Sequence, residues 1–286
     1  VSEGGHPLAH NPTTDYALLP LCLPHHVEIL MPRSLFAALT LSLLISPAWS
    51  QPAAPAPAEP AKTASPKAAV PSTINPVPRD AGWRERHTKI VETVRQGGHK
   101  VVFLGDSITE GWSAAGKAAW EKTWAPMHAV NAGIGGDRTQ HVLWRLNNGL
   151  GEALAASNND IQLVVLMIGT NNSNGADNTS EDIAQGIKAI VANVREKLPK
   201  AKVLMLGIFP RGEKPNAQRE KNAKASEIAS KVADGTTVKY LDIGSKFLDK
   251  DGTITKEIMP DFLHLSEKGY QIWAESVEPV VREMTK

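Results

Sequence analysis

Five short apolar runs, each separated from the next by a stretch with helical spacing, limit what this chain can fold into more than any other feature. They are Val101–Leu104, His128–Asn131, Leu163–Ile168, Val203–Ile208 and Val238–Leu241. The helical patterns between them lie near 114–123, 137–148, 181–197 and 215–233, and a last one covers 266–284. Strands read as continuous Val, Leu and Ile only when both faces of their sheet are covered, and helical crossovers supply that cover in parallel sheets. The expectation is an α/β fold, a three-layer α/β/α sandwich around a central five-stranded, mainly parallel sheet. A helix capped by Asp80 opens it, carries Trp83, Ile90, Val91 and Val94, and ends near Gly97-Gly98. No internal repeat is visible, so residues 81–286 read as one domain.

The first 80 residues differ in kind. Met31-Pro32-Arg33 precedes the apolar stretch Ser34–Ser46, followed by Pro47-Ala48-Trp49-Ser50-Gln51. A basic start, an apolar centre and small residues at Ala48 and Ser50 describe a secretory leader cleaved before Gln51. Residues 1–30 then stand upstream of a natural start and read as a non-native extension. Residues 51–80 are dominated by Pro and Ala, a composition that favours extended backbone, and read as a spacer. These features predict an exported, periplasmic or extracellular protein. The single cysteine, Cys22, precedes the leader, so the exported chain would hold none and would tolerate an oxidising compartment. A net charge of +1 with no basic block argues against nucleic acid as a partner. No apolar run reaches the length of a membrane span.

The first apolar run stops on Gly105-Asp106-Ser107. In open α/β sheets ligands bind beyond the carboxyl ends of the strands, so a serine one step past such an end is placed to act as a nucleophile. It needs a base. Among the histidines after residue 50, His87, His99, His128 and His141 read as packing or surface residues. His264 lies in Pro260-Asp261-Phe262-Leu263-His264-Leu265-Ser266, a loop before the last helix. Asp261, three residues upstream, can accept from His264 Nδ1 and leave Nε2 free to take the serine proton. Donors for an oxyanion come from two other strand ends. One is Asn131-Ala132-Gly133-Ile134-Gly135-Gly136-Asp137, with the Gly136 amide. The other is Gly169-Thr170-Asn171-Asn172, with the Asn171 side chain. Asp106 reads as a buttress of the serine turn. No His, Asp or Cys cluster has metal-ligand spacing.

With these blocks in view, the sequence resembles the SGNH (GDSL-type) hydrolase superfamily, and most closely its platelet-activating factor acetylhydrolase Ib catalytic subunits. The stretches Asn131–Asp137, Thr139–Leu146, Pro210–Asn216 and Asp261–Ser266 carry the closer likeness, which spans about 83–284. The resemblance implies an SGNH-hydrolase, flavodoxin-like fold. It implies Ser107 as nucleophile, His264 as base and Asp261 as orienting acid, with the Ser107 amide, Gly136 amide and Asn171 side chain as oxyanion hole. Ile108, Thr170 and Leu263 would line a small acyl pocket suited to acetyl. No metal or cofactor is implied. The resembled subunits form dimers, which makes a homodimer the expected assembly. His141 and Arg145 match the resemblance as well and read as helix-packing and surface residues. The expected activity is hydrolysis of short-chain carboxylic esters of small-molecule, carbohydrate or lipid alcohols. A carbohydrate O-acetyl esterase, an acyltransferase and a non-catalytic binding protein remain alternatives on the same scaffold.

Overall fold

The computed structural model describes residues 70–286. The upstream extension 1–30, the leader 31–50 and most of the spacer, 51–69, lie outside the described residues.

The sheet contains β1 (Val101–Gly105), β2 (Ala129–Gly133), β3 (Leu163–Met167), β4 (Lys202–Leu206) and β5 (Val238–Leu241), in the order β2-β1-β3-β4-β5. Every pairing is parallel, so the sheet is wholly rather than mainly parallel. Parallel neighbours need long crossovers, and helices supply them. They are α1 (Ala81–Arg95), α2 (Ser107–Glu110), α3 (Lys117–Thr123), α4 (Thr139–Arg145), α5 (Gly151–Leu154), α6 (Ser180–Lys197), α7 (Ala217–Ser230) and α8 (Glu267–Met284).

Successive strand side chains point to opposite faces, and the two cores divide along that period. Val102 and Leu104 of β1, Val164 and Leu166 of β3, and Val203 and Met205 of β4 join the core that holds Val91, Leu143, Ile187 and Ala225 of the helices. Val101 and Phe103, Val165 and Met167, and Leu204 and Leu206 face the other way, against α8. That second core is aromatic. Phe103 packs on Trp124 with ring centroids 4.9 Å apart, and Trp112 on Trp273 at 4.8 Å and Tyr270 at 4.7 Å. Tyr270 is buried, yet its hydroxyl donates to the Ile108 carbonyl at 2.7 Å, tying α8 to the helix that begins with Ser107.

Local chemistry places the helix starts. Asp80, Asn216 and Ser266 each accept a main-chain N–H with the side chain at the N-cap, satisfying donors that the first helical turn leaves free. The helix expected at 137–148 is shorter, because it gives way to a wider turn at Leu146–Leu150 with Gly149 at φ 102°. His128, read as the first residue of the second strand, is a left-handed residue (φ 55°) just before it.

The spacer departs from expectation at its end. Residues 72–79 pack on the domain. Thr139 Oγ1 donates to the Thr73 carbonyl at 2.9 Å, Asn178 Nδ2 to Ser72 Oγ at 3.0 Å, and Val77 N to the Gln140 carbonyl at 3.4 Å. Thr73 is fully buried. Proline-rich composition predicted extended backbone but could not show that this backbone has a surface to lie on.

Candidate active site

The strand order reverses direction between β1 and β3, where loops at the carboxyl ends leave a crevice. The loops after β1, β2 and β3 surround it. Ser107 follows β1 directly. The turn that presents it is held by Asp106, whose Oδ1 accepts from Ile108 N at 3.0 Å. Asp106 is fully buried, and its other oxygen has no partner among the described residues. Burial pushes its carboxyl up to about 7, against the pull of the Ile108 amide, and the Asp137 charge adds to the rise. The expected buttress role therefore matches its contacts.

The loop before α8 brings in the histidine. Asp261 Oδ1 accepts from the amides of Leu263 at 3.0 Å and His264 at 2.7 Å. These bonds curl the chain so tightly that Phe262 takes φ 60°, a conformation that side chains other than glycine rarely adopt. The curl brings Asp261 Oδ2 within 2.6 Å of His264 Nδ1. On the far side of the ring, Nε2 lies 2.9 Å from Ser107 Oγ. Partial burial raises the Asp261 carboxyl, but the His264 ring and the two amides outweigh it and hold it below the usual range. An ionised Asp261 can only accept, so the ring proton sits on Nδ1 and Nε2 accepts from the serine hydroxyl. Ser107, His264 and Asp261, predicted from two separate stretches, thus form one hydrogen-bonded line.

The glycine loop after β2 runs against the serine. A Cβ at Gly135 would lie 3.7 Å from that of Ser107, and Gly136 has φ 78°, which favours glycine. Among the described residues neither the Ser107 nor the Gly136 amide finds an acceptor. Asn171, after β3, donates from Nδ2 to the Asp137 carbonyl at 2.9 Å, which leaves its second N–H for other use. Ile108 is buried in the aromatic core, with Leu263 packed partly buried against it. Thr170 is also buried, and Arg211 Nη1 reaches its carbonyl and hydroxyl, each at 3.2 Å.

Several supports of the site carry no signal in the sequence. Glu110 Oε2 accepts from the Gly135 amide at 2.9 Å while its Oε1 meets Arg86 at 3.0 Å. Arg79, from the spacer, donates to the Gly135 carbonyl at 2.7 Å. Arg145, expected on the surface, is wholly buried. Its guanidinium meets Asp137 at 2.9 Å and the Ala132 carbonyl at 2.7 Å, and Trp83 Nε1 donates to Asp137 at 2.6 Å. Burial works against both charges, raising the Asp137 carboxyl while Arg145 pulls it back, and a guanidinium keeps its proton in a protein. Arg in a helix is usually solvated, and only the partner buried eight residues earlier says otherwise. His141 is likewise more packed than exposed, edge-on to Trp83 at 6.1 Å, and accepts from Arg138 N at 3.0 Å.

Known proteins resemble this chain in sequence and in fold. The model of the GDSL-like lipase/acylhydrolase family matches residues 103–272. Platelet-activating factor acetylhydrolase IB subunit alpha1 of Bos taurus is 40% identical over 201 residues, 70% of this chain and 82% of its own. The alpha2 subunit of Rattus norvegicus is 39% identical over 202 residues, 70% of this chain and 84% of its own. A GDSL-like lipase structure from Bacteroides thetaiotaomicron shares the fold with a TM-score of 0.54 at 19% identity, covering 70% of this chain and 97% of that one. On the family match and these relatives, the chain belongs to the GDSL-like lipase/acylhydrolase family and is a hydrolase of carboxylic ester bonds.

Proposed function

We propose that this chain is a serine esterase that hydrolyses acetyl and other short-chain esters through an acyl-enzyme. The observation that carries the reading is the line from Ser107 Oγ through His264, 2.9 Å away, to Asp261, 2.6 Å further on. Ser107 Oγ attacks the ester carbonyl as His264 Nε2 takes its proton. Asp261 stabilises the imidazolium and holds the ring in orientation. The carbonyl oxygen, now negative, accepts from the amides of Ser107 and Gly136 and from Asn171 Nδ2, donors already set in place before charge develops. Collapse expels the alcohol, which takes the proton from His264. Water then repeats the sequence on the acyl-enzyme and releases the acid.

Ile108, Thr170 and Leu263 would bound the acyl side. Their branched side chains leave room for an acetyl group and hinder longer chains. Initial rates on p-nitrophenyl acetate, butyrate and octanoate test this, with acetate expected to be fastest. A maximum at octanoate would overturn the acyl-side reading while leaving the esterase intact. An acyltransferase would instead pass the acyl group to an added sugar hydroxyl in preference to water, which product analysis distinguishes. The leader at 31–50 also makes this an exported enzyme in our reading, and a mature N-terminus at Gln51 is the expected outcome of end-group sequencing.

A further inference from the structure

We propose that Arg79, contributed by the segment before the hydrolase domain, is a positioning residue that sets and strengthens the Gly136 oxyanion donor. The inference rests on the reading of Gly136 given above.

The geometry concerns one peptide unit. The Gly135 carbonyl and the Gly136 N–H belong to the same plane, and in a trans peptide they point in opposite directions. Arg79 Nη1 donates to that carbonyl at 2.7 Å. Its guanidinium also covers the outer side of Gly136, where an added Cβ would meet Nη1 at 2.9 Å and Nη2 at 3.1 Å. With the carbonyl gripped from this side, the Gly136 N–H points away from Arg79.

Two consecutive glycines make such a hold necessary. Gly135 and Gly136 lack the Cβ atoms that would restrict their dihedrals, so the plane between them is the freest in the loop. Neighbouring groups are pinned by other means: the Gly135 amide by Glu110 at 2.9 Å, and the Asp137 carboxylate by Arg145 at 2.9 Å and Trp83 at 2.6 Å. Among the described residues, Arg79 is the side chain that holds the carbonyl of the 135–136 peptide itself. A cation on a carbonyl also polarises its amide, which makes the N–H at the other end a stronger donor.

Arg79 is held in turn. It lies 3.6 Å from Asp137, and its segment is anchored at Ser72, Thr73 and Val77 by the bonds to Asn178, Thr139 and Gln140. This segment lies outside the residues matched by the family model, 103–272. The arrangement therefore adds a support for catalysis from outside those matched residues.

The test is steady-state kinetics on p-nitrophenyl acetate in the full chain, comparing wild type with Arg79→Met and Arg79→Lys. Melting temperature is followed alongside, and Ser107→Ala serves as the reference for the site reading. Misplacing one donor predicts a fall in kcat of about tenfold or more for Arg79→Met, with KM changed less than about threefold, below the full ~100–1,000-fold cost of deleting a donor. Arg79→Lys, which keeps a charge but one of different geometry, should recover part of the loss. Added guanidinium at millimolar concentration should raise the Arg79→Met rate and leave the wild type unchanged. If Arg79→Met keeps wild-type kcat while Ser107→Ala is inactive, the positioning role fails and the site stands. If Ser107→Ala keeps its activity, the site reading fails first. If Arg79→Met lowers melting and activity together, and neither Lys nor guanidinium restores kcat, Arg79 is structural only and the proposal is overturned.

Discussion

Asn171 Nδ2 donates to the main-chain carbonyl of Asp137 at 2.9 Å, so the loop after β3 is fastened to the loop after β2. One of its amide hydrogens is committed to that bond, which aims the other. Asn171→Ala removes the donor and the fastening together. We expect kcat for p-nitrophenyl acetate to drop about 100–1,000-fold, the usual cost of a lost oxyanion donor, with KM little changed. A variant whose KM rises while kcat holds would mark Asn171 as a substrate-binding group instead.

Ser107 Oγ and His264 Nε2 are 2.9 Å apart, which makes the serine the expected target of a fluorophosphonate. Mass spectrometry of the labelled protein should place one adduct on the peptide containing Ser107, and Ser107→Ala should take up none. Asp261→Asn leaves the size of the group unchanged but lets the ring settle in the wrong tautomer. By comparison with serine-protease triads, its kcat should fall by about 10⁴-fold. An effect under tenfold would show that the two amides on Asp261, rather than the histidine, account for its place in the turn.

Arg145 and Asp137 form a buried pair at 2.9 Å. Arg145→Met keeps the bulk and strands the carboxylate. Removing one partner of a buried pair costs about 3–5 kcal/mol, a loss that urea unfolding will register. Adding Asp137→Asn to that variant should restore part of it, since no full charge then remains buried.

One buried group and one half-buried group should tilt stability with pH in opposite senses. The Asp106 carboxyl is raised to about 7 by burial, so between about 4 and 7 the folded chain holds a proton that the unfolded chain has lost. Its contribution to stability therefore declines as pH rises through that window. Asp106→Asn preserves the cap on Ile108 without a charge, and its melting temperature relative to wild type should increase from pH 5 to pH 8.

The His141 ring is lowered to about 4, first by burial and then by Arg79 and Arg138. Between about 6.5 and 4 the unfolded chain binds the extra proton, so stability is lost as pH falls. His141→Gln should flatten the acid limb of a melting curve measured from pH 7 to pH 4.5. An unchanged slope would mean that the ring is solvated enough to titrate normally.

Much of this molecule is written locally in its sequence. The five apolar runs mark strands because covered strands need no polar face. Asp80 starts α1 because a side-chain carboxylate can satisfy the free amides of a helix start, and the spacing of Asp261 and His264 lets one turn join them. Each of these relationships acts within a few residues, where side-chain type and spacing suffice. Arg145, Arg79 and Glu110 behave otherwise. Whether Arg145 meets water or Asp137 depends on how α4 packs on the loop behind it. Whether residues 72–79 trail away or lie on the domain depends on Thr139 and Asn178, which follow them by more than sixty residues. Glu110 finds the Gly135 amide 25 residues ahead only because β1 and β2 are neighbours in register, with Gly105 opposite Gly133. The sequence by itself determined the parallel sheet, the serine at its edge and the residues able to serve it. Tertiary structure alone decided which charges are buried and which side chains hold the glycine loop, because those contacts exist only once the sheet has brought distant strand ends together.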